Sequence, residues 1–347
     1  MARKAKSSYR GNKIEPAVQT MLLSFSVPPS ATATQYADLS QIASLVNRRF
    51  YRQGINWAVA GFKVFNISGV SGDITLSKLP NTWVMSNAWE KGMRSWTRMI
   101  REATSEAESI RPRFMDFKVY ADDTHHALGT GANLLPNSLT LVATPGEWDY
   151  STFEIPQSAA DPTLPAGNSV TRDVVAVGPN YTAVGASGNY AVSLIEGYAA
   201  SRALPDIAAP NMPDDAQSAS GSVAQNWQVA LFNEGTTQDS EVMEDLETQN
   251  NQAPYPFEND GIHGDTMYPG GANQLVGLEL HDFVQLFSTN NVDGVGIQRL
   301  KGGNFPCGLI SVDWTPSAGV PNANLLIQID LIPGNHRGYL CEPMTEM

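Results

Sequence analysis

The chain has 347 residues, 42% of them apolar and only 16% charged, with 29 glycines and 22 prolines. That much apolar material excludes wholesale disorder, and so little charge cannot clothe coiled coils or long solvated helix bundles. The formal net charge of −13 would argue against a nucleic-acid partner if it were evenly spread, but residues 1–63 carry nine Lys/Arg against two acids, a net of +7, and the rest carries −20.

Residues 1–16 show no periodic apolar pattern and read as a flexible basic arm. Val18–Val27 reads as a first strand, ended by Pro28 and Pro29. Over Tyr36–Gln53 the residues Leu39, Ile42, Val46 and Phe50 fall at helical spacing. Asp38 is expected in the first turn of that helix, Arg48, Arg49 and Arg52 in its last, and Gly54 just beyond it. Trp57–Ile67 and Ile74–Leu79 are strand candidates joined by a turn at Gly69–Gly72. Asn87–Ile110 reads as the clearest helix, with Asn87 and Glu90 as a capping pair and Trp89, Met93, Trp96 and Ile100 on one stripe.

Arg113–Tyr120 alternates as a strand does. From about 121 to 270 the chain is rich in turn residues, with strand-like pieces at Trp148–Ile155 and Val170–Val177 and helix candidates at Tyr190–Ala203 and Ser240–Asn250. The carboxyl third returns to strands at Leu275–Phe287, Gly308–Trp314 and Leu325–Ile332. About eight strands that do not alternate with helices disfavour a doubly wound sheet. The expected fold is mainly β: an eight-stranded antiparallel jelly-roll sandwich over 17–347, with helical insertions and a loop-rich insertion at about 121–270.

No apolar run is long enough to span a membrane as a helix, and no secretory apolar stretch follows the basic start. Two cysteines, Cys307 and Cys341, cannot build a disulfide framework or a cysteine-rich zinc site, and buried reduced thiols are expected. Asp122, Asp123, His125 and His126 cluster after a strand, with His263, Asp260 and Asp265 as distant complements. Adjacent side chains diverge, so a solvated loop is expected there and no metal or cofactor. No nucleophile elbow or phosphate loop is present, and no catalytic residue is expected. Trp89 and Trp96 lie one heptad apart, which places them in the core ahead of a sugar-binding platform.

The strongest functional signal is the arm. Arg3, Lys4, Lys6, Arg10 and Lys13 put five positive charges in thirteen residues, enough to neutralise several phosphates by releasing counterions. Tyr9 offers a stacking group. Arg48, Arg49 and Arg52 would extend the same surface. Nothing in the arm has the geometry to read bases, so contact with nucleic acid should be independent of sequence.

Four segments carry a family resemblance: Asp73–Trp96 (DITLSKLPNTWVMSNAWEKGMRSW), Leu194–Pro205 (LIEGYAASRALP), Ala253–Gln274 (APYPFENDGIHGDTMYPGGANQ) and Gly334–Met347 (GNHRGYLCEPMTEM). In them the chain resembles the capsid proteins of small circular single-stranded DNA viruses from aquatic and environmental samples. The resemblance spans most of the chain after residue 55. It implies a jelly-roll subunit that assembles with its own copies into an icosahedral shell around a single-stranded DNA genome, inside the host cell and then in the virion. It implies no catalytic residue, cofactor or membrane. The short arm departs from the long arginine-rich arms of many such proteins, which leaves more of the genome's charge to other counterions. Two other classes fit the sequence less well. One is a carbohydrate-binding β-sandwich on a cell or virion surface. The other is a jelly-roll metalloenzyme drawing on His125, His126, His263 or His281.

Overall fold

A computed structural model describes residues 17–28, 31–66, 70–111, 115–138, 142–156, 169–180, 183–202, 228, 231, 277–287, 296–317 and 323–346. Alternating burial builds the first strand, β1 (Thr20–Val27): Met21, Leu23, Phe25 and Val27 point into the core and Ser24 and Ser26 away from it. There follow β2 (Ala33–Asp38), helix α1 (Leu39–Asn47), β3 (Ile55–Asn66), β4 (Gly72–Lys78) and helix α2 (Trp83–Ala103). Next come α3 (Asp123–Leu128), β5 (Thr152–Pro156), β6 (Ser169–Val175), β7 (Tyr190–Ser193) and α4 (Leu194–Arg202). The carboxyl third adds β8 (Glu279–Leu286), β9 (Gly296–Phe305), β10 (Leu309–Pro316) and β11 (Ala323–Leu331). Three short strands close the chain, β12 (Pro333–Gly334), β13 (Gly338–Tyr339) and β14 (Cys341–Pro343).

Eight of these strands form two antiparallel sheets. One runs β1–β11–β3–β9, with β14 pairing the start of β3 on the side away from β9. The other runs β2–β10–β4–β8. The sheets face each other across one apolar core, in which Phe25, Trp57, Phe62, Trp314, Ile327 and Ile329 are all at most 2% exposed. The fold is a β-sandwich, as the alternation in the carboxyl third led us to expect.

The start of β3 faces the core with Ile55, Trp57 and Val59, its end with Phe62 and Val64. A strand of period two cannot do both without a slip. The slip is a bulge at Ala60, where pairing with β11 jumps from Gly61–Asp330 to Val59–Leu331. The crowded bulge explains Gly302 on β9: a Cβ there would lie 2.2 Å from the Val59 carbonyl oxygen and 2.4 Å from that of Ala60.

Everything from 79 to 278 lies between β4 and β8, so the insertion starts some forty residues before the expected 121 and begins with α2. Its three-stranded sheet, β5–β6–β7, pairs β6 with β7 in parallel. Phe117, Phe153, Val174, Val192 and Leu194 join Trp83, Val84 and Trp89 of α2 in a second core. Tyr36, Cys307, Leu309 and Met344 also belong to that core, which fastens the insertion to the sandwich.

Several boundaries differ from the sequence reading. The helix expected over Tyr36–Gln53 is half strand: residues 33–38 pair with β10, the helix starts at Leu39, and it ends at Asn47 because Arg48 turns left-handed at φ 53°. Arg48, Arg49 and Arg52 therefore follow the helix and do not complement its dipole from the last turn. Thr82, not Asn87, caps α2, its hydroxyl accepting from the Met85 N–H, and Asn87 and Glu90 lie inside the helix. Residues 115–120 run extended along β6 with a single bridge, Tyr120–Val175. The first four residues of the helix expected at Tyr190–Ala203 form β7. Cys307 is buried and Cys341 half-buried, both as free thiols. The arm and the helix expected at Ser240–Asn250 lie outside the described residues.

Candidate nucleic-acid interface

The described chain begins where the arm joins the sandwich, and that junction is held from two sides. Val18 N–H donates to Asn47 Oδ1 at the end of α1 (3.0 Å), and Tyr339 Oη donates to the Val18 carbonyl (2.6 Å). Asn47 Nδ2 in turn donates to Tyr339 Oη (2.7 Å), and burial pushes the Tyr339 phenol up to about 12. The arm therefore leaves the body between the carboxyl end of α1 and the hairpin β12–β13.

The same two elements carry arginines. Arg48 is exposed at the left-handed cap, Arg49 is half-buried, and Arg52 is exposed four residues beyond the cap. From the hairpin comes Arg337, also left-handed (φ 51°), whose guanidinium donates to the Phe50 carbonyl while its own carbonyl accepts from Tyr51 Oη (3.0 Å). The guanidinium of Arg49 acts electrostatically on Tyr339, so it lies on the hairpin side of the junction. Arg48, Arg49 and Arg52 are thus brought to the exit of the arm, as the sequence suggested, and Arg337 joins them. Arg337 and its neighbour His336 were not legible as site residues: nearly 290 residues separate them from Arg48. Arg3, Lys4, Lys6, Arg10 and Lys13 lie outside the described residues.

One acid faces this ring. Burial raises Asp116 to about 6, against the pull of Lys118 and Arg52. Lys118 itself lies over the Trp148 ring, 4.3 Å from its centre. Glu147 and Asp149 sit exposed on the loop whose Pro145 carbonyl accepts from Gln41 of α1.

The histidines weighed as metal ligands have other work. His125 is fully buried, its Nδ1 accepting from the Ala121 N–H (3.1 Å) and its Nε2 bonded to Asn133 Oδ1 (2.8 Å). Its ring stacks on Tyr36 at 4.1 Å, only 7° from parallel. His126 Nε2 meets Asp173 Oδ2 at 2.9 Å, and His281 Nε2 meets the Lys301 carbonyl at 2.9 Å. Asp122 caps α3 and accepts from Tyr36 Oη (2.7 Å). The cluster is thus a buried hydrogen-bonded network, where a solvated loop was expected. His263, Asp260 and Asp265 lie outside the described residues.

Burial lowers His125 to about 3, with His126 adding to the effect and Asn133 opposing it. The unfolded chain binds this proton near pH 6.5 and the folded chain does not, so the stability His125 contributes is complete above pH 6.5 and is lost as the pH falls toward 3. His125→Gln is expected to cost about 2–3 kcal/mol at pH 7 for the lost hydrogen bonds and stacking. The gap to wild type should shrink by about 1.4 kcal/mol for each pH unit below 6.5. Urea unfolding at pH 7, 6 and 5 measures it, and a gap constant across that range would show that the histidine is not held neutral.

The tryptophans do not form an exposed platform. Trp83 and Trp89 are buried, and Trp96 packs on Phe117 with ring centres 5.7 Å apart. Comparison of the chain with family models, with curated proteins and with solved structures returns no match. Among the described residues, no helix is long and apolar enough to cross a membrane.

Proposed function

We propose that the chain is a viral coat protein: a jelly-roll subunit that assembles with its own copies into an icosahedral shell around a single-stranded DNA genome, with the basic arm and the arginines at its root holding nucleic acid without reading its sequence. The observation that carries the reading is the pairing order joined to the position of the arm. Counting the eight sandwich strands along the chain, the first pairs with the eighth, the second with the seventh, the third with the sixth and the fourth with the fifth. One antiparallel ribbon wrapped on itself gives that order, and jelly rolls of this kind recur in capsid proteins and lectins. A lectin has no need of a cationic arm, whereas a shell around DNA has. Here the arm, with five positive charges in thirteen residues, leaves the ribbon's first strand between Arg48, Arg49 and Arg337. That clustering supports a continuous phosphate-binding surface.

Negative-stain microscopy of the purified protein tests the reading: uniform closed shells are expected, and monomers at high concentration in both low and moderate salt would overturn it. Removing residues 1–13 should leave shells that form but retain less nucleic acid, seen as a lower ratio of absorbance at 260 to 280 nm. Unchanged nucleic-acid content would remove the arm from the account.

A further inference from the structure

Beside the exit of the arm lies an open pocket of about 740 Å³, within the size range of small-molecule sites. Its walls come from elements far apart in sequence: the turn after α1, the inner face of α2, residues 115–117, the β12–β13 hairpin and the segment after β14. Phe50, Trp89, Trp96 and Phe117 give it aromatic walls, and Arg52 and Arg337 stand exposed at its rim. The Trp89 ring lies flush against the backbone because residue 54 is glycine; a Cβ there would sit 2.2 Å from the ring.

Two polar atoms at this pocket are left over. Trp89 is 4% exposed, and its Nε1–H has no hydrogen-bond partner among the described residues. Asp116 Oδ2 is buried and also has none, although the same carboxylate accepts from the Gln53 N–H. Buried polar groups are nearly always paired, so a donor and an acceptor left open in one pocket point to an absent partner that offers both an acceptor and a donor. The aromatic walls call for a flat ring, and the arginines at the rim call for an anionic group attached to it. A nucleotide has all of these: a π-face to stack, a base edge with hydrogen-bonding groups, and a phosphate.

We infer that this pocket takes one unstacked nucleotide of the enclosed strand, its base among the aromatic walls with its edge toward Trp89 Nε1 and Asp116 Oδ2, and its phosphate on Arg52 and Arg337. The inference rests on the coat-protein reading and adds a defined subsite to it. Arg337 belongs both to the ring of arginines at the arm and to the pocket rim, so a strand held by the arm passes the pocket mouth.

The test uses the full-length protein and a ten-nucleotide single strand carrying 5-iodo-2′-deoxyuridine, cross-linked by light and mapped by peptide mass spectrometry. Cross-links are expected on the peptides bearing Phe50 or Trp96 as well as on the arm. Trp96→Leu should lower the pocket cross-link about tenfold and leave that of the arm. Arg52→Ala, a change at an exposed side chain that keeps the fold safe, should lower it several-fold, and Asp116→Asn should do the same by placing an amide where an acceptor is needed. Excess dCMP or dGMP should displace the pocket cross-link, and inorganic phosphate at the same concentration should not. Cross-links confined to the arm, or equal displacement by phosphate, would overturn the nucleotide site while leaving the coat-protein reading intact. Protein that neither forms shells nor cross-links at the arm or the pocket overturns both.

Discussion

Phe283→Glu combined with Phe287→Glu is expected to give a folded subunit that does not assemble. β8 is the last strand of its sheet and pairs only with β4 among the described strands. Its core-facing side is set by Ile74 and Leu76 opposite, which leaves Thr75 and Ser77, with their partners Phe283 and Leu280, on the outer side. The pairing skips His281, and this slip keeps Leu280 on the outer face with Phe283 and Phe287. These three side chains are 60%, 66% and 63% exposed, and Ile297 on β9 is 51% exposed. Single exposed apolar residues are ordinary, but a row of large ones along an unpaired edge marks a surface that another chain covers. Burying each phenylalanine contributes about 2 kcal/mol per copy, repeated at every contact of a closed shell. Two glutamates would bring in desolvated like charges instead. Sedimentation velocity should show monomers, with an unchanged far-ultraviolet circular dichroism spectrum and unchanged binding of short single-stranded DNA through the arm. Shells of normal size would show that the row is not a contact between subunits.

The placing of the long insertion has a physical logic. A ribbon whose fourth strand pairs with its fifth has a hairpin at one end, and that hairpin is where the chain departs from 79 to 278. Closing a longer loop there adds little entropy cost, because that cost grows only logarithmically with length. The other strand pairs keep their register. The insertion still needs a core of its own, and α2, β5–β7 and α4 provide it by packing on Tyr36 and Leu309 at the edge of the sandwich.

How far this was legible in the sequence depended on how local the cause was. β1, β10 and β11 announce themselves by alternation, since each has one face on the core. β9 (GIQRLKGGNF) was missed because Gly302 and Gly303 read as a turn, and the need for Gly302 arises only from the bulge at Ala60 on the facing strand. β2 was read as helix because Tyr36 and Asp38 precede a helical pattern, and the pairing that makes it a strand lies about 275 residues away on β10. At the site, Arg48, Arg49 and Arg52 were legible as a local cluster of charge. Arg337 was not, and neither was the pocket, whose walls come from five separate stretches.

The largest loss of stability from a single conservative change is expected at Asp38. This carboxylate is fully buried at the joint of β2 and α1. Oδ1 accepts from the Ser40 and Gln41 N–H groups at 3.0 and 3.2 Å, capping the helix, and Oδ2 accepts from Gln53 Nε2 and Trp148 Nε1, both at 3.1 Å. Gln53 carries the connection onward, its Oε1 accepting from the Val119 N–H at 2.7 Å. Four donors converge on one side chain that joins the sandwich to α1, the turn after it and the insertion. Asp38→Asn keeps an oxygen for the cap but turns an amide N–H toward two other donors, at a cost of about 2–4 kcal/mol. Asp38→Ala loses the cap as well, about 1 kcal/mol more. The pH dependence has a defined sign, opposite to that of His125. Burial holds Asp38 up to about 6 against the pull of its four donors, above its value in the unfolded chain. The folded state therefore binds the extra proton, and the stability this contributes is present below pH 4 and lost as the pH rises through 6. The gap between wild type and Asp38→Asn in urea unfolding should widen from pH 7 to pH 4, while that for His125→Gln narrows. If Asp38→Asn unfolds at the wild-type urea concentration, the carboxylate does not hold the joint.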